Sequence, residues 1–228
     1  MNCALIVAAG KSERMGTGSD KAFLSLGNRP VLAWSLLAFE QCHDIEQIVL
    51  VVRKEQINAS RGVAQMFGIS KLRTVLAGGL RRQDSVAIGL QALDADTRVV
   101  AVHDGARPCV TPDLISETIR SAKKGGSGVA ASRVVDTIKY VERGTTVERT
   151  IERDKLWAVQ TPQTFKVDLL RKAYAKVAAQ DAVITDEAAA VELLGEPVRL
   201  VEWPRANPKI TLPEDLTIAA ALLKIQGG

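Results

Sequence analysis

Three cysteines, three Trp, two Tyr, four Phe and no long apolar run mark what this 228-residue chain has little of. Cys3, Cys42 and Cys109 are odd in number, far apart and form no CxxC pair. That excludes a disulfide framework and a cysteine zinc site, and it fits a reducing, cytoplasmic compartment. The two histidines make no zinc pattern either. Charge of one sign is also scarce in excess: 30 Lys+Arg against 26 Asp+Glu leaves only +4, with cations in runs no longer than doublets such as Arg81-Arg82. A basic stripe interleaved with aromatic stacking platforms is therefore missing, and no nucleic-acid role is expected. No stretch approaches the roughly 20 apolar residues of a membrane span. Met1-Asn2-Cys3 passes directly into Ala4–Ala9 with no basic leader region, so neither export nor insertion is expected. No repeat, low-complexity tract or Pro/Ser-rich linker divides the sequence, so one domain over residues 1–228 is expected.

What is present is an alternation of two periodicities. Short β-branched runs at Ala4–Ala9, Gln47–Val52, Arg73–Leu76, Arg98–His103 and Gly128–Ala131 have the composition of strands buried on both faces. Between them, Val31–Gln41, Gln83–Leu93 and Pro112–Lys124 carry apolar residues at helical spacing, the last opened by Thr111-Pro112-Asp113 as cap, first-turn proline and acid. This βαβ order predicts an α/β fold with a mainly parallel sheet. Asp136–Val141 and Val147–Ile151 break the pattern, flanking a Glu142–Thr146 turn, and predict a β-hairpin arm projecting over about 136–155. Helices near Val167–Ala179 and Asp186–Leu194, a strand at Val198–Trp203 and a last helix from Pro213 to about Lys224 complete the expected order.

In such sheets the ligand crevice lies beyond the carboxyl ends of the strands, so the loops leaving the strands hold the chemistry. The first strand runs into a long glycine-rich loop from Ala8-Ala9-Gly10 to Asp20-Lys21, with Arg14 inside it. Small residues let backbone N–H groups close on an anion, and Arg14 and Lys21 supply countercharge, a composition suited to polyphosphate. It is not a P-loop, because five residues separate Gly10 from Gly16, and the dinucleotide fingerprint lacks its third glycine at Lys21. The third strand exits into Gly78-Gly79, where the backbone is open to a base or ribose, and Ser85 is placed to cap the next helix, to touch the ligand, or to do both. The fourth ends in His103-Asp104-Gly105-Ala106-Arg107. Asp104 suits Mg²⁺ or a sugar hydroxyl, and Arg107 a phosphate. His103 and Asp104 are consecutive strand residues and point to opposite faces, so they cannot act as base and orienter, and His103 is expected in the core. Cys109 lacks a partner base and is expected to be a small buried apolar residue.

Taken in order, Ala8-Ala9-Gly10 with Arg14-Met15 and Asp20-Lys21, Gly78-Gly79 with Arg82 and Ser85, His103–Pro108, Asp136-Thr137-Ile138-Lys139, Leu156-Trp157 with Thr161-Pro162-Gln163, Ile184–Ala188 and Asn207-Pro208-Lys209 resemble the 2-C-methyl-D-erythritol 4-phosphate cytidylyltransferase family over nearly the whole chain. The resemblance implies a Rossmann-like nucleotidyltransferase fold and transfer of CMP from CTP to methylerythritol phosphate in the non-mevalonate isoprenoid pathway. It implies a divalent cation such as Mg²⁺ and a homodimer that exchanges its β-arm. Arg14 and Lys21 would then contact the triphosphate, and Ala8, Ala9, Gly10, Gly79 and Ser85 would hold CTP. Asp104, Arg107, Thr137 and Thr161 would surround the acceptor, with Arg153, which follows the arm, and Lys209 orienting its phosphate. A ribitol-5-phosphate cytidylyltransferase, which shares the CTP loops, is the alternative within this chemistry, and a non-catalytic nucleotide-binding module is the alternative outside it.

Overall fold

The computed structural model describes residues 1–10 and 20–225. In chain order its elements are β1 (Asn2–Ala8), β2 (Ser25–Leu26), β3 (Arg29–Pro30), α1 (Val31–Gln41), β4 (Gln47–Val52), α2 (Ile57–Met66), β5 (Leu72–Ala77), α3 (Arg82–Gln91), β6 (Val99–Asp104), α4 (Pro112–Gly125), β7 (Ser127–Arg133), β8 (Ile138–Tyr140), β9 (Arg149–Ile151), β10 (Trp157–Lys166), α5 (Val167–Ala179), α6 (Glu187–Leu194), β11 (Leu200–Glu202) and α7 (Glu214–Leu222). Seven strands form one sheet in the order β11-β7-β10-β6-β1-β4-β5. All neighbours in it are parallel except β10, which runs antiparallel between β6 and β7.

The expected βαβ alternation is what builds this sheet. β1 and β6 are apolar and buried along almost their whole length because helices cover both faces. Successive side chains alternate between those faces. Ala4 and Ile6 join the cluster of Leu32, Leu36 and Phe39 on α1 and Leu114, Ile115 and Ile119 on α4. Cys3, Leu5 and Val7 join that of Val86 and Leu90 on α3, Leu170 and Val177 on α5, and Val191 on α6. The α4 signals act as their chemistry dictates: the Thr111 hydroxyl accepts from Leu114 N at 3.3 Å, Pro112 fills the first turn, and Gly126 ends the helix at φ +88°. Among the described residues, no helix is long and apolar enough to cross a membrane.

Four elements were not in the sequence expectation: α2, β10 and the short paired strands β2 and β3. α2 was not expected; it buries Ser60 and Ala64 and packs Ile57 and Val63, partly buried, against the core. β10 was not expected either, since Gln160-Thr161-Pro162-Gln163-Thr164 is polar and contains proline; its pairing with β7 shifts register between Val159 and Gln163. The arm is present as the separate antiparallel pair β8–β9, with Ile138 opposite Ile151, and is mostly exposed.

Gly128 shows how closely α4 seats on β7: a Cβ there would lie 2.3 Å from the Thr118 carbonyl oxygen and 2.8 Å from Ser121 Cβ. Gly128→Ala is expected to destabilise the protein by about 1–3 kcal/mol. At about 2–4 °C per kcal/mol for a chain of this size, a thermal melt will show it, and an unchanged Tm would contradict this packing.

Candidate active site

β1 and β6 lie side by side with Val7 opposite Asp104, and the chain leaves them in opposite directions, β1 toward β4 and β6 toward the β7 half of the sheet. That divergence opens a crevice at their carboxyl ends. A cleft of about 800 Å³, its open mouth included, occupies the crevice. Ala8, Ala9 and Gly10 form one side, Lys21 another, Gly79 to Arg82 with Ser85 a third, and Asp104, Ala106 and Lys209 the floor. Lys21 opens a single helical turn that Asp20 caps by accepting from Ala22 N at 3.1 Å, while the other Asp20 oxygen takes Arg53 at 3.0 Å.

The Gly78-Gly79 loop is tight before any ligand enters. A Cβ on Gly78 would lie 2.4 Å from Ala9 Cβ, and one on Gly79 would lie 2.5 Å from Asp84 Cβ. Gly79 N donates to Ser85 Oγ at 3.1 Å, and Ser85 Oγ donates to Arg81 O at 3.2 Å. Ser85 therefore does not cap α3, as one sequence reading allowed. The helix starts at Arg82, and Asp84 takes the capping role by accepting from Arg81 N at 3.0 Å. Ser85 instead pins the loop against the first turn.

Asp104 is the hinge of the site. Its Oδ1 accepts from Arg82 Nε at 2.9 Å and its Oδ2 from Lys209 Nζ at 2.7 Å, with Arg107 Nε 3.9 Å from Oδ2. Burial alone would raise this carboxyl, but Arg82, then Lys209 and Arg107, outweigh it and hold it well below the usual carboxylate range. On the far side of this cluster lies a second cavity of about 490 Å³, lined by Arg107, Gln160, Thr161, Gln163, Thr185 and Asp186. Arg82, Asp104 and Lys209 line both cavities and form the wall between them.

Behind the second cavity the polar groups are interlocked. Thr161 Oγ1 accepts from Asp104 N at 3.1 Å and lies 3.1 Å from His103 Nδ1, while His103 Nε2 lies 3.3 Å from Arg107 O. With the hydroxyl donating to Nδ1, the ring proton sits on Nε2 and goes to the Arg107 carbonyl. His103 is fully buried against Phe39, and burial pushes its pKa down to about 3 despite the pull of Asp104. It is a neutral core histidine, as expected, and shares no side-chain hydrogen bond with Asp104. The Asn207 side-chain amide donates to Thr161 O at 2.8 Å, and the Asn207 backbone carbonyl accepts from Arg107 at 2.7 Å. Three buried atoms in this layer lack a hydrogen-bond partner: Arg107 Nε, Gln160 Oε1 and Asn207 Oδ1. Burial also lowers the Arg107 pKa, which an incoming anion would offset. The thiol of Cys109 is pushed up to about 11 and that of Cys3 to about 12 by burial, so neither is a ready thiolate.

Of the residues singled out from the sequence, Ala8, Ala9, Gly10, Lys21, Gly79, Ser85, Asp104 and Lys209 meet around the first cavity, and Asp104, Arg107, Thr161 and Lys209 around the second. Thr137 and Arg153 sit on the exposed arm and line neither cavity; Arg153 donates to the Val135 carbonyl. Arg14 lies outside the described residues. Sequence reasoning missed the roles of Arg82 and Glu187. Arg82 spans Asp104 and the fully buried Glu187, which it holds by two bonds of 2.6 and 3.0 Å. Both residues stood within the quoted motifs, but a charge on an amphipathic helix ordinarily faces water.

Comparison with known proteins agrees along the whole chain. The sequence model of the family described as IspD, 2-C-methyl-D-erythritol 4-phosphate cytidylyltransferase, matches residues 2–225. A relative of that name from Dehalococcoides mccartyi (strain ATCC BAA-2266 / KCTC 15142 / 195) is 45% identical over 97% of this chain and 95% of its own. One from Alkaliphilus oremlandii is 41% identical over 96% of this chain and 94% of its own. The crystal structure of 4-diphosphocytidyl-2C-methyl-D-erythritol synthase from Anaerococcus prevotii superposes with a TM-score of 0.86 at 30% identity, covering 98% of this chain and 96% of that one.

His103 gives the site a pH signature. The unfolded chain titrates this group near 6.5, whereas the fold takes the proton only near 3, so the unfolded state binds more protons between those values. Stability from this group is complete above 6.5 and falls as pH drops toward 3. Urea unfolding at pH 7 and about pH 5 is expected to show a loss of about 2 kcal/mol from His103. In His103→Asn that part of the slope should vanish; equal slopes in the two proteins would contradict the assignment.

Proposed function

The chain belongs to the 2-C-methyl-D-erythritol 4-phosphate cytidylyltransferase family, and from that premise we propose how its two cavities divide the work. The reaction transfers CMP from CTP to 2-C-methyl-D-erythritol 4-phosphate: an acceptor phosphate oxygen forms a bond to the α-phosphorus of CTP as the bond to pyrophosphate breaks. The first cavity takes CTP, with Ala8, Ala9 and Gly10 toward the phosphates, Lys21 on the triphosphate, and Gly79 and Ser85 at the cytidine. The second takes the acceptor, with Arg107 on its phosphate. The observation that carries this division is the shared wall, because Lys209 and Asp104 border both cavities and the new bond must form across it.

No general base is required, since a phosphate monoester is already anionic at neutral pH. That suits a site whose one nearby imidazole is buried with both nitrogens committed. The barrier to lower is the approach of two polyanions, and at an effective dielectric of about 20 a pair of unit charges 4 Å apart repels by about 4 kcal/mol. Lys21, Arg107 and Lys209, joined by Arg14 from the glycine-rich loop, supply the neutralising charge and align attacker and leaving group.

A protein-held divalent cation does not fit the donors described. Both Asp104 oxygens already face cations, and among the described residues no group of three His, Cys, Asp or Glu could cage a metal. We assign the divalent cation to the triphosphate, with which it enters as part of the substrate. Thr137 and Arg153, which line neither of their own chain's cavities, are assigned to the site of a second subunit. The homodimer forms through the exchanged arm, whose surroundings expose Val135, Tyr140, Val147 and Val159. A cytoplasmic setting suits the three free thiols.

Lys21→Ala is expected to lower kcat by roughly 10²–10³, equivalent to about 3–4 kcal/mol of lost charge stabilisation. Lys209→Ala is expected to act mainly on kcat/KM for the acceptor. Steady-state pyrophosphate release with each substrate varied in turn tests the division; wild-type turnover in Lys21→Ala, or a loss in Lys209→Ala confined to CTP, would contradict it. Arm exchange has its own test. Equimolar refolding of Lys21→Ala with Arg153→Ala should restore about a quarter of wild-type activity, because one site in each mixed dimer draws both residues from intact copies. No recovery in mixtures that do form mixed dimers would refute a shared site.

A further inference from the structure

Glu187 is fully buried at the start of α6 and lines neither cavity, so it has no route to a substrate. Removing a carboxylate from water is costly, and a charge so placed needs several strong partners. Glu187 has three bonds: Arg82 donates to its two oxygens at 2.6 and 3.0 Å, and the Tyr174 hydroxyl donates to Oε1 at 3.1 Å. The nearby Glu187 charge, added to burial, in turn keeps the Tyr174 proton in place. The paired bonds fix the plane of the Arg82 guanidinium and leave its Nε aimed at Asp104 Oδ1. Asp104 can then offer Oδ2 to Lys209 at 2.7 Å, with Arg107 Nε farther off at 3.9 Å. The chain of contacts runs unbroken from the core to the ammonium on the dividing wall.

We infer that Glu187 is a positioning residue that acts through Arg82 and Asp104 to hold the Lys209 ammonium in register with the acceptor phosphate. This inference rests on the division of the cavities given above. Two charge effects follow from the same geometry. Glu187 neutralises Arg82, which lines both cavities and would otherwise compete with Lys209 for substrate anions. It also keeps Arg82 from folding entirely onto Asp104 and displacing Lys209. Glu187→Gln preserves the shape and an acceptor for Tyr174 but removes the charge that holds Arg82.

The test is a double-mutant cycle of Glu187→Gln and Lys209→Ala, read as kcat/KM for the acceptor and, separately, KM for CTP. In the wild-type background Glu187→Gln should lower acceptor kcat/KM roughly 10- to 100-fold, as a displacement of about 1 Å does, with KM for CTP little changed. In the Lys209→Ala background it should add almost nothing. If the two losses multiply, Glu187 does not act through Lys209 and the inference is overturned. If Lys209→Ala spares acceptor use, the division of the cavities fails first and this inference with it. Should Glu187→Gln not fold, Arg82→Lys carries the same cycle and the same outcomes, since a lysine keeps the charge but cannot span both carboxylates.

Discussion

A carboxylate buried at the carboxyl end of a central strand is stable only where cations reach it, and Asp104 draws three, two of them from distant parts of the chain. Arg82 comes from the start of α3, Arg107 from the loop after β6 and Lys209 from the segment before α7. The carboxylate can be there because β6 ends beside β1 at the point where their connections part. Arg82 and Lys209 are thereby delivered to the wall between two cavities, and Arg107 to the second cavity. Fold and chemistry therefore meet in one ion cluster, built on the electrostatic need of a single desolvated group.

The sign of the cluster suits its use. Three cations balance the two carboxylates Asp104 and Glu187, leaving a local positive excess in a chain whose overall excess is only +4. Catalysis by placed charge requires that the groups be held before the substrates arrive, so that nothing has to reorganise during the reaction. The layer behind the wall does this holding: Thr161 ties the Asp104 backbone to His103, His103 ties to the Arg107 carbonyl, and Asn207 links Arg107 to β10. A neutral imidazole serves better there than a charged one, which would add a fourth positive charge beside Arg107 and loosen it.

Much of this was legible in the sequence because the relevant signals are local. Alternating strand and helix periods placed β4, β6 and α4 almost to the residue and β1 within two, and Thr111-Pro112 marked the start of α4. Lys21 and Lys209 could be matched to one pocket only through the ordered motifs, since no local pattern relates residues so far apart, and both line the first cavity. β10 escaped because its residues are polar where it crosses the site and its register shifts at Val159/Gln163. Arg82 and Glu187 escaped because their pairing depends on how α3 and α6 pack over one sheet face, which periodicity does not reveal. Ser85 read as a cap, a ligand contact or both; the structure gives the capping to Asp84 and puts Ser85 in the lining of the first cavity.

The most direct measurement is a crystal structure with a non-hydrolysable CTP analogue and 2-C-methyl-D-erythritol 4-phosphate bound together. The account predicts the triphosphate in the cavity of Lys21, the acceptor phosphate against Arg107, and an acceptor oxygen about 3–3.5 Å from the α-phosphorus with the Lys209 ammonium beside it. An acceptor bound away from the Asp104 wall, with Lys209 touching neither phosphate, would contradict it.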